Sequence, residues 1–144
     1  MRKLISKVLI VAAAVSGLAV TAALPASAAP TCPAGHSCFW SGANYTGYKW
    51  DDGGHSTPNW GAVHYTGTNI PLWGGDGLET NVSSMINRDV DSYVSIYYNS
   101  GYHGPCAFVV PNGNVPDFRR VTLPDGTPMN DRMNSHRYND HCSG

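Results

Sequence analysis

The chain is poor in basic residues once its first 28 positions are set aside. The remainder keeps all ten acidic residues but only six basic ones, so its net charge is −4 with histidines neutral. The six are Lys49, Arg88, Arg119, Arg120, Arg132 and Arg137. Proteins that bind nucleic acids carry a basic patch, and this charge balance therefore argues against a nucleic-acid partner.

An apolar run long enough to span a membrane is also missing. The run over residues 8–20 has thirteen residues, whereas a spanning helix needs about 20. Basic residues precede this run and Ala26-Ser27-Ala28 follows it, which is the pattern of a secretory signal peptide. We therefore predict a signal peptide over 1–28, a single domain over 29–144, and a secreted, extracellular protein without a membrane partner.

Motifs of common hydrolases are absent as well. The sequence contains no Gly-x-Ser-x-Gly, no His-Glu-x-x-His and no paired-carboxylate arrangement. We therefore predict that the protein is not an enzyme. Its histidines invite a zinc site, but His136 and His141 lie five apart without helical context. The six histidines are His36, His55, His64, His103, His136 and His141.

Helical periodicity is missing after residue 28, so any helix is expected to be a single turn. Short β-rich runs bounded by turn residues occur instead, at 93–97 and 106–110. The pattern predicts an all-β domain of two sheets. Segment 51–78 is irregular and glycine-rich. Its Trp60 and Trp73 are candidate glycan contacts or, alternatively, parts of the core.

The four cysteines allow three disulfide pairings. Cys32 and Cys38 are separated by a turn-rich segment that can close on itself, which leaves Cys106 with Cys142. We predict these two bridges, formed by oxidation after secretion. Together they would help to stabilise a domain of modest size.

One aromatic motif occurs twice. Trp40-x4-Tyr45-x-Gly47 recurs as Tyr97-x4-Tyr102-x-Gly104. Two rings five residues apart, then a glycine suited to positive φ, indicate a hairpin that folds back so that the rings stack. A serine-bearing segment follows each motif by about forty residues, at 81–84 and 130–135. The two repeats, about 38–87 and 93–142, resemble the double Greek key of the βγ-crystallin fold.

The opening of the predicted domain carries a second resemblance. Cys32-Pro33-Ala34-Gly35-His36-Ser37-Cys38, followed by the first aromatic corner, is similar to the start of secreted microbial metalloproteinase inhibitors with a crystallin-like fold. The resemblance implies a monomer that inhibits an extracellular, thermolysin-like zinc metalloproteinase stoichiometrically and requires no cofactor. A crystallin-like module that binds cell-wall polysaccharide or acts against fungi is the alternative.

The same resemblance implies an inhibitory peptide bond between Cys106 and Ala107, with Phe108 next. In the family, a second cysteine closes this loop a few residues later. Here the nearest later cysteine is Cys142. The alternative is therefore that residues 106–110 form a core strand that a disulfide joins to the C-terminus.

A calcium site is implied by the crystallin resemblance, whose sites follow the pattern Asn/Asp-Asn/Asp-x-x-Ser/Thr-Ser. Asn130, Asp131, Asn134 and Ser135 fit it except that Asn134 replaces serine or threonine. The first repeat, over 79–84, fits less well. We expect one weak site, with an affinity of about 10⁻⁴ to 10⁻³ M, which would suit a calcium-stabilised structural protein. The alternative is that Ser84 and Ser135 hydrogen-bond the folded hairpins.

Overall fold

The computed structural model of the protein describes residues 30–142. Within them, seven strands form two antiparallel sheets, with strand orders β2-β1-β3-β6 and β5-β4-β7. The strands are β1 (Ser37–Gly42), β2 (Thr46–Asp51), β3 (Ser84–Asn87), β4 (Val94–Asn99), β5 (His103–Val109), β6 (Asn114–Val115) and β7 (Ser135–Tyr138). The predicted all-β architecture of two sheets is confirmed.

Helical structure in the described residues consists of three single 3₁₀ turns, at Ala43–Tyr45, Trp60–Ala62 and Phe118–Arg120. The expectation that any helix is one turn long therefore holds for them. Across residues 30–142, no helix combines the length and apolarity that crossing a bilayer requires. The predicted signal peptide over 1–28 lies outside the described residues.

The core lies between the two sheets, where alternate residues of each strand point inward. In β4, for example, Val94 and Ile96 enter the core, while Ser95 and Tyr97 face the outer side of the sheet. The buried cluster consists of Phe39, Trp60, Tyr65, Leu72, Val82, Met85, Val94, Ile96, Val109, Phe118, Leu123, Met129 and Met133.

The first aromatic corner joins β1 to β2. The rings of Trp40 and Tyr45 lie 5.4 Å apart at 69°, so they meet edge to face and the expected stacking is wrong. This geometry sets the positive edge of one ring against the negative face of the other. Gly47 has a φ of +78°, and a Cβ there would collide with the Ser41 hydroxyl, which explains the glycine of the motif.

The second corner, between β4 and β5, repeats the first. Tyr97 and Tyr102 lie 6.2 Å apart at 63°. Gly104 has a φ of +83°, and a Cβ added there would lie 2.6 Å from the side-chain amide nitrogen of Asn99. The two hairpins therefore share one backbone path as well as one sequence motif.

A buried serine closes each corner in the same way. The hydroxyl of Ser84 donates to the Gly42 carbonyl at 2.6 Å and accepts from the Tyr45 amide at 3.1 Å. The hydroxyl of Ser135 donates to the Asn99 carbonyl at 2.6 Å and accepts from the Tyr102 amide at 3.2 Å. Both tyrosines have positive φ, 61° and 64°, so these bonds hold an unfavourable backbone conformation.

The two repeats exchange chain segments. β6, from the second repeat, pairs with β3 in the first sheet. In return, Thr57 of the first repeat bridges His136 of β7. Each sheet is thus paired with a segment of the other repeat.

A buried hydrogen-bond network, which we call the inter-repeat network, reinforces this exchange. It links Trp60 and Asp52 of the first repeat to His136 and Tyr138 of the second. The indole of Trp60 donates to Nδ1 of His136 at 2.8 Å. Because an indole N–H can only donate, Nδ1 accepts and Nε2 carries the proton. That Nε2 lies 3.0 Å from Asp52 Oδ2, to which the Tyr138 hydroxyl also donates, at 2.8 Å.

Both predicted disulfides are present. Cys32 and Cys38 have Cα atoms 5.8 Å apart, and Cys106 and Cys142 have theirs 5.6 Å apart. The first bridge closes the N-terminal segment, residues 30–36, against β1. The second joins the C-terminal segment, residues 139–142, to β5. Each end of the described chain is therefore fixed to one sheet.

We predict that Ser84→Ala and Ser135→Ala each lower the free energy of unfolding by about 1–3 kcal/mol, because each leaves a corner amide and carbonyl without a partner. Urea unfolding measures this. The exposed Ser100 is the matched control, and Ser100→Ala should change stability by less than about 0.5 kcal/mol. Equal stability of all three variants and the parent would contradict the role given to the corner serines.

Replacing His136 should cost more. His136→Phe keeps a ring in the core, but it leaves the Trp60 indole N–H without an acceptor and removes one partner of the buried Asp52 carboxylate. We therefore expect the free energy of unfolding to fall by about 3–5 kcal/mol. His64→Phe, at an exposed position, is the control for adding a phenyl ring. Thermal and urea unfolding should both detect the difference, and a loss below about 1 kcal/mol would speak against the network.

Candidate functional site

The predicted inhibitory residues lie in β5, an edge strand of the second sheet. β5 pairs with β4 along one side, in the register Tyr97↔Cys106, Ile96↔Ala107 and Ser95↔Phe108. No strand among residues 30–142 pairs with its other side. Residues 106–108 are therefore part of a regular extended strand and do not form a protruding loop.

The side chains of β5 alternate between core and solvent. Ala107 packs against the core cluster, and Val109 belongs to it. Cys106 and Phe108 point to the outer face, where the cysteine is 7% exposed and the phenylalanine 50%. Of these four side chains, Phe108 alone is both large and open to solvent.

The backbone N–H and C=O groups of β5 also alternate between its two sides. Which residues of β5 bond β4 follows from the hydrogen bonds that β4 makes on its other side. The amides of Asn139 and Asn134 donate to the carbonyls of Tyr93 and Tyr97, both at 2.9 Å, on the β7 side of β4. In an antiparallel ladder, the N–H and C=O of one residue point to the same side and successive residues alternate. Val94 and Ile96 therefore bond β5 through its residues Ala107 and Val109.

It follows that Cys106 and Phe108 direct their N–H and C=O groups to the unpaired side of β5. A second extended chain could add there by the same hydrogen bonds that join the strands of the sheet. The edge strand contains Pro105, a residue that natural edge strands use to limit unwanted pairing.

The C-terminal segment lies across the outer face of this sheet. Its Cys142 amide donates to Ser95 Oγ at 2.9 Å, and Ser95 donates in turn to the Asp140 carbonyl at 2.6 Å. The Tyr97 hydroxyl donates to the Asp140 carboxylate. Burial, followed by the hydrogen bond and charge of Asp140, raises the pKa of Tyr97 to about 12. With the Cys106 disulfide, these bonds fix the segment to both β4 and β5.

An aromatic cluster stands at the solvent edge of this face. The centroid of the His141 ring lies 4.0 Å from the centroid of the Tyr93 ring and 5.9 Å from that of the Phe108 ring. Tyr93 and Phe108 lie 5.9 Å apart at 62°. We name Tyr93, Phe108 and His141 the aromatic triad. Tyr93 and His141 are not among the residues that the sequence predicts for this site, although Tyr93, two residues before Ser95, is on the outer face by strand alternation.

The two candidate glycan contacts occupy different places. Trp60 is completely buried, and its indole donates to His136, so its ring faces are covered by protein. Trp73 is partly buried and packs against the core cluster. A sugar would need an open ring face for stacking, and Trp60 does not provide one in this structure.

The predicted calcium residues separate into two groups. Asn130 and Asp131 line a cavity of about 250 Å³ together with Ala43, Glu79, Ser83 and Arg119. Asn134 lies elsewhere, where its side-chain oxygen accepts from the Trp60 amide at 3.1 Å. Ser135 closes the second aromatic corner, as the alternative interpretation of that serine expected.

The cavity residues bind one another across the two repeats. Ser83 Oγ donates to Asp131 Oδ1 at 2.9 Å, and the Asn130 amide donates to Oδ2 at 2.7 Å. The side-chain oxygen of Asn130 is buried without a hydrogen-bond partner. Burial, with a contribution from the Glu79 charge, raises the pKa of Asp131. Among residues 30–142, no three His, Cys, Asp or Glu side chains cluster closely enough to hold a metal by themselves.

Comparison with known proteins supports both resemblances found in the sequence. The model of peptidase inhibitor family I36 matches residues 25–109, more than half of the chain. No curated protein matches the chain significantly.

Solved structures show the fold. One, from work on the evolution of the eye lens βγ-crystallin domain fold, superposes with a TM-score of 0.54 at 17% identity, over 75% of this chain and 89% of its own. A βγ-crystallin from Ciona intestinalis gives a TM-score of 0.47 at 17% identity, over 71% of this chain and 96% of its own. The predicted βγ-crystallin-like fold is confirmed by the first.

The raised pKa of Asp131 predicts how stability depends on pH in a chelator. A folded-state pKa above the unfolded one means that folding favours the protonated carboxyl, so this contribution is lost as pH rises through the folded pKa. Asp131→Asn, which stays neutral, should therefore be more stable than the parent at pH 7 and lose that advantage below about pH 3.8.

Asp125→Asn is the matched control of opposite sign. The Thr127 amide lowers the pKa of the exposed Asp125 carboxyl, so ionisation favours the folded state and the amide variant should be no more stable than the parent at pH 7. Chemical unfolding from pH 3 to 7 tests both variants. A destabilised Asp131→Asn at neutral pH in chelator would contradict the prediction.

Proposed function

Because the chain belongs to peptidase inhibitor family I36, we propose that this proteinase inhibitor is secreted and acts on an extracellular zinc metalloproteinase of the thermolysin type. It binds the protease in a one-to-one complex, as a monomer and without a cofactor. The two disulfides are consistent with an extracellular location.

This proposal is supported above all by the extended conformation and open edge of β5. Its residues 106–108 are already extended, as a peptide must be in a protease cleft, and one side of the strand is open. The chain therefore does not lose further backbone freedom when it binds, and such pre-organisation increases affinity. The apolar Phe108 next to the predicted Cys106–Ala107 bond suits a thermolysin-like pocket.

The Cys106–Cys142 disulfide supports an inhibitor over a substrate. Any peptide bond after Cys106 in β5 lies between the two cysteines, so the bridge would still join the two parts of the chain if that bond were cut. The carboxyl-side part would also remain anchored by the buried Val109. Cutting would therefore release little chain entropy, and the cleaved ends would stay in the cleft.

Titration of thermolysin with the oxidised protein tests the proposal. We expect stoichiometric inhibition at sub-micromolar concentration, with trypsin, a serine protease, left uninhibited as the control. Undiminished thermolysin activity in the presence of tens of micromolar of the protein would refute the proposal. Ala107→Pro is a poor variant for this purpose, because Ala107 faces Ile96 in the ladder and proline would remove a hydrogen bond there.

We propose a second, weaker activity, calcium binding, for the cavity at Asp131. Its residues fit a hard cation in part: Asp131 and Glu79 supply carboxylates, Ser83 a hydroxyl, and Asn130 a buried side-chain oxygen without a hydrogen-bond partner. Arg119 also lines the cavity, and calcium would add further positive charge beside the two carboxylates. Asn134 and Ser135, which the sequence motif suggested, have other roles.

Calcium binding predicts that millimolar Ca²⁺ raises the melting temperature and that excess chelator reverses the rise. Asp131→Ala should abolish the rise, whereas Asp125→Ala, on an exposed turn, should keep it. A melting temperature independent of Ca²⁺ up to about 10 mM, well above the expected affinity range, would exclude the site.

A further inference from the structure

An arginine lies among the oxygen atoms of the cavity at Asp131. The lining of this cavity includes the carboxylates of Glu79 and Asp131 and the side chain of Arg119. A guanidinium can only donate hydrogen bonds, and it keeps its positive charge throughout the pH range of proteins. Arg119 therefore cannot be a ligand of a cation, and its place beside the oxygen atoms needs a separate explanation.

We propose that Arg119 weakens calcium binding at this cavity through its fixed positive charge and so sets the calcium concentration at which the site fills. This inference rests on the calcium binding proposed above and adds the residue that regulates it. The side chains that line the cavity carry two negative charges and one positive charge, so Arg119 cancels half of the charge that attracts a divalent cation. Calcium affinity in proteins is tuned by such charge counts.

Asp117 holds the guanidinium of Arg119 at this position. Nε and Nη2 of Arg119 donate to the two carboxylate oxygens of Asp117 at 2.8 and 2.9 Å, and the Arg119 backbone amide donates to the same carboxylate at 3.0 Å. A bidentate pair of this kind fixes the orientation of the guanidinium plane. The cavity is lined by Arg119 and not by Asp117, so the positive partner of the pair is the one nearer to the cavity.

Arg119 affects the cavity through its charge, since its guanidinium donates to Asp117. The Asp131 carboxylate accepts its hydrogen bonds from Ser83 and Asn130 instead. The side-chain oxygen of Asn130 is buried without a hydrogen-bond partner, and a bound cation would satisfy it. The cavity thus combines acceptor oxygens with a competing charge. A site weakened in this way fills at about 10⁻⁴ to 10⁻³ M calcium, the range of extracellular modules.

Calorimetric titration of the oxidised protein with Ca²⁺ tests the role of Arg119. Arg119→Gln removes the charge but keeps a side chain that can still donate to Asp117. We expect its dissociation constant for calcium to be lower than that of the parent by on the order of tenfold. Arg119→Lys restores the charge and should return the constant to within about threefold of the parent value.

Arg120→Gln is the matched control. Arg120 is the next residue and also lies beside Asp117, with 3.7 Å between its Nε and the carboxylate, but it does not line the cavity. Its replacement should change the calcium dissociation constant by less than about threefold, because a more exposed and more distant charge is screened by salt. Equal tightening by Arg119→Gln and Arg120→Gln would overturn the inference, since it would assign the effect to the net charge of the protein.

Melting temperatures separate this role from a purely structural one. In excess chelator, Arg119→Gln lacks the ion pair with Asp117 and should melt no higher than the parent. In millimolar Ca²⁺, its melting temperature should rise by more than that of the parent, because the site binds more tightly. If Arg119 were only a structural residue, the replacement would leave the calcium-dependent rise unchanged, which would overturn the inference.

The outcomes for this inference and for the proposed calcium site can be told apart. If the parent binds calcium and Arg119→Gln binds it with unchanged affinity, the inference fails while the calcium site stands. If neither protein binds calcium up to about 10 mM, both fail. Tighter binding by Arg119→Gln that is abolished when Asp131→Ala is added would support the inference and locate the ion in this cavity.

Discussion

The hydrogen bonds that join His136 to Trp60 and Asp52 are the constraint on which the two halves of the structure depend. His136 occupies the place in β7 that Met85 occupies in β3, one residue after the corner serine. An apolar side chain there would only fill space, whereas the imidazole connects an indole donor to a buried carboxylate. A polar network in a low-dielectric core is stable only when all its members are satisfied, so it selects one arrangement of the two repeats.

The two disulfides extend this order to the ends of the chain. On the chain-entropy model, the bridge with a sequence separation of 6 contributes roughly 2 kcal/mol and the one with a separation of 36 roughly 4 kcal/mol. Their structural roles also differ. The first holds the N-terminal segment against β1. The second attaches β5 to the C-terminal segment, which is itself hydrogen-bonded to β4. The edge strand is therefore supported on its outer face as well as on its paired side.

The repeated aromatic motif allowed the fold to be predicted because each copy combines two rings with a glycine that takes a positive φ, and a serine-bearing segment follows each copy by about forty residues. The disulfide pairing was predictable for a similar reason, since a short turn-rich loop left one remaining pair. The environment of Phe108 was not predictable, because the aromatic triad joins residues from β5, the start of β4 and the C-terminal segment. The division of the calcium motif also depends on contacts between repeats, since Asp131 bonds Ser83 and Asn134 bonds Trp60.

If β5 is the inhibitory strand, as we propose, its position compensates for the missing local cysteine after Cys106. A short loop closed by a nearby disulfide keeps a cleaved bond together because few residues separate the two ends. In this chain the bridge is longer, but the residues around it are held by the β4 ladder, by the buried Val109 and by the bonds of Ser95 to the C-terminal segment. A long covalent loop with a rigid interior keeps the cleaved ends as close as a short flexible one does, because the number of free residues, and not the sequence separation, determines how far they can move. Under the proposed function, an edge strand between two such anchors takes the place of the small loop that the resemblance implies.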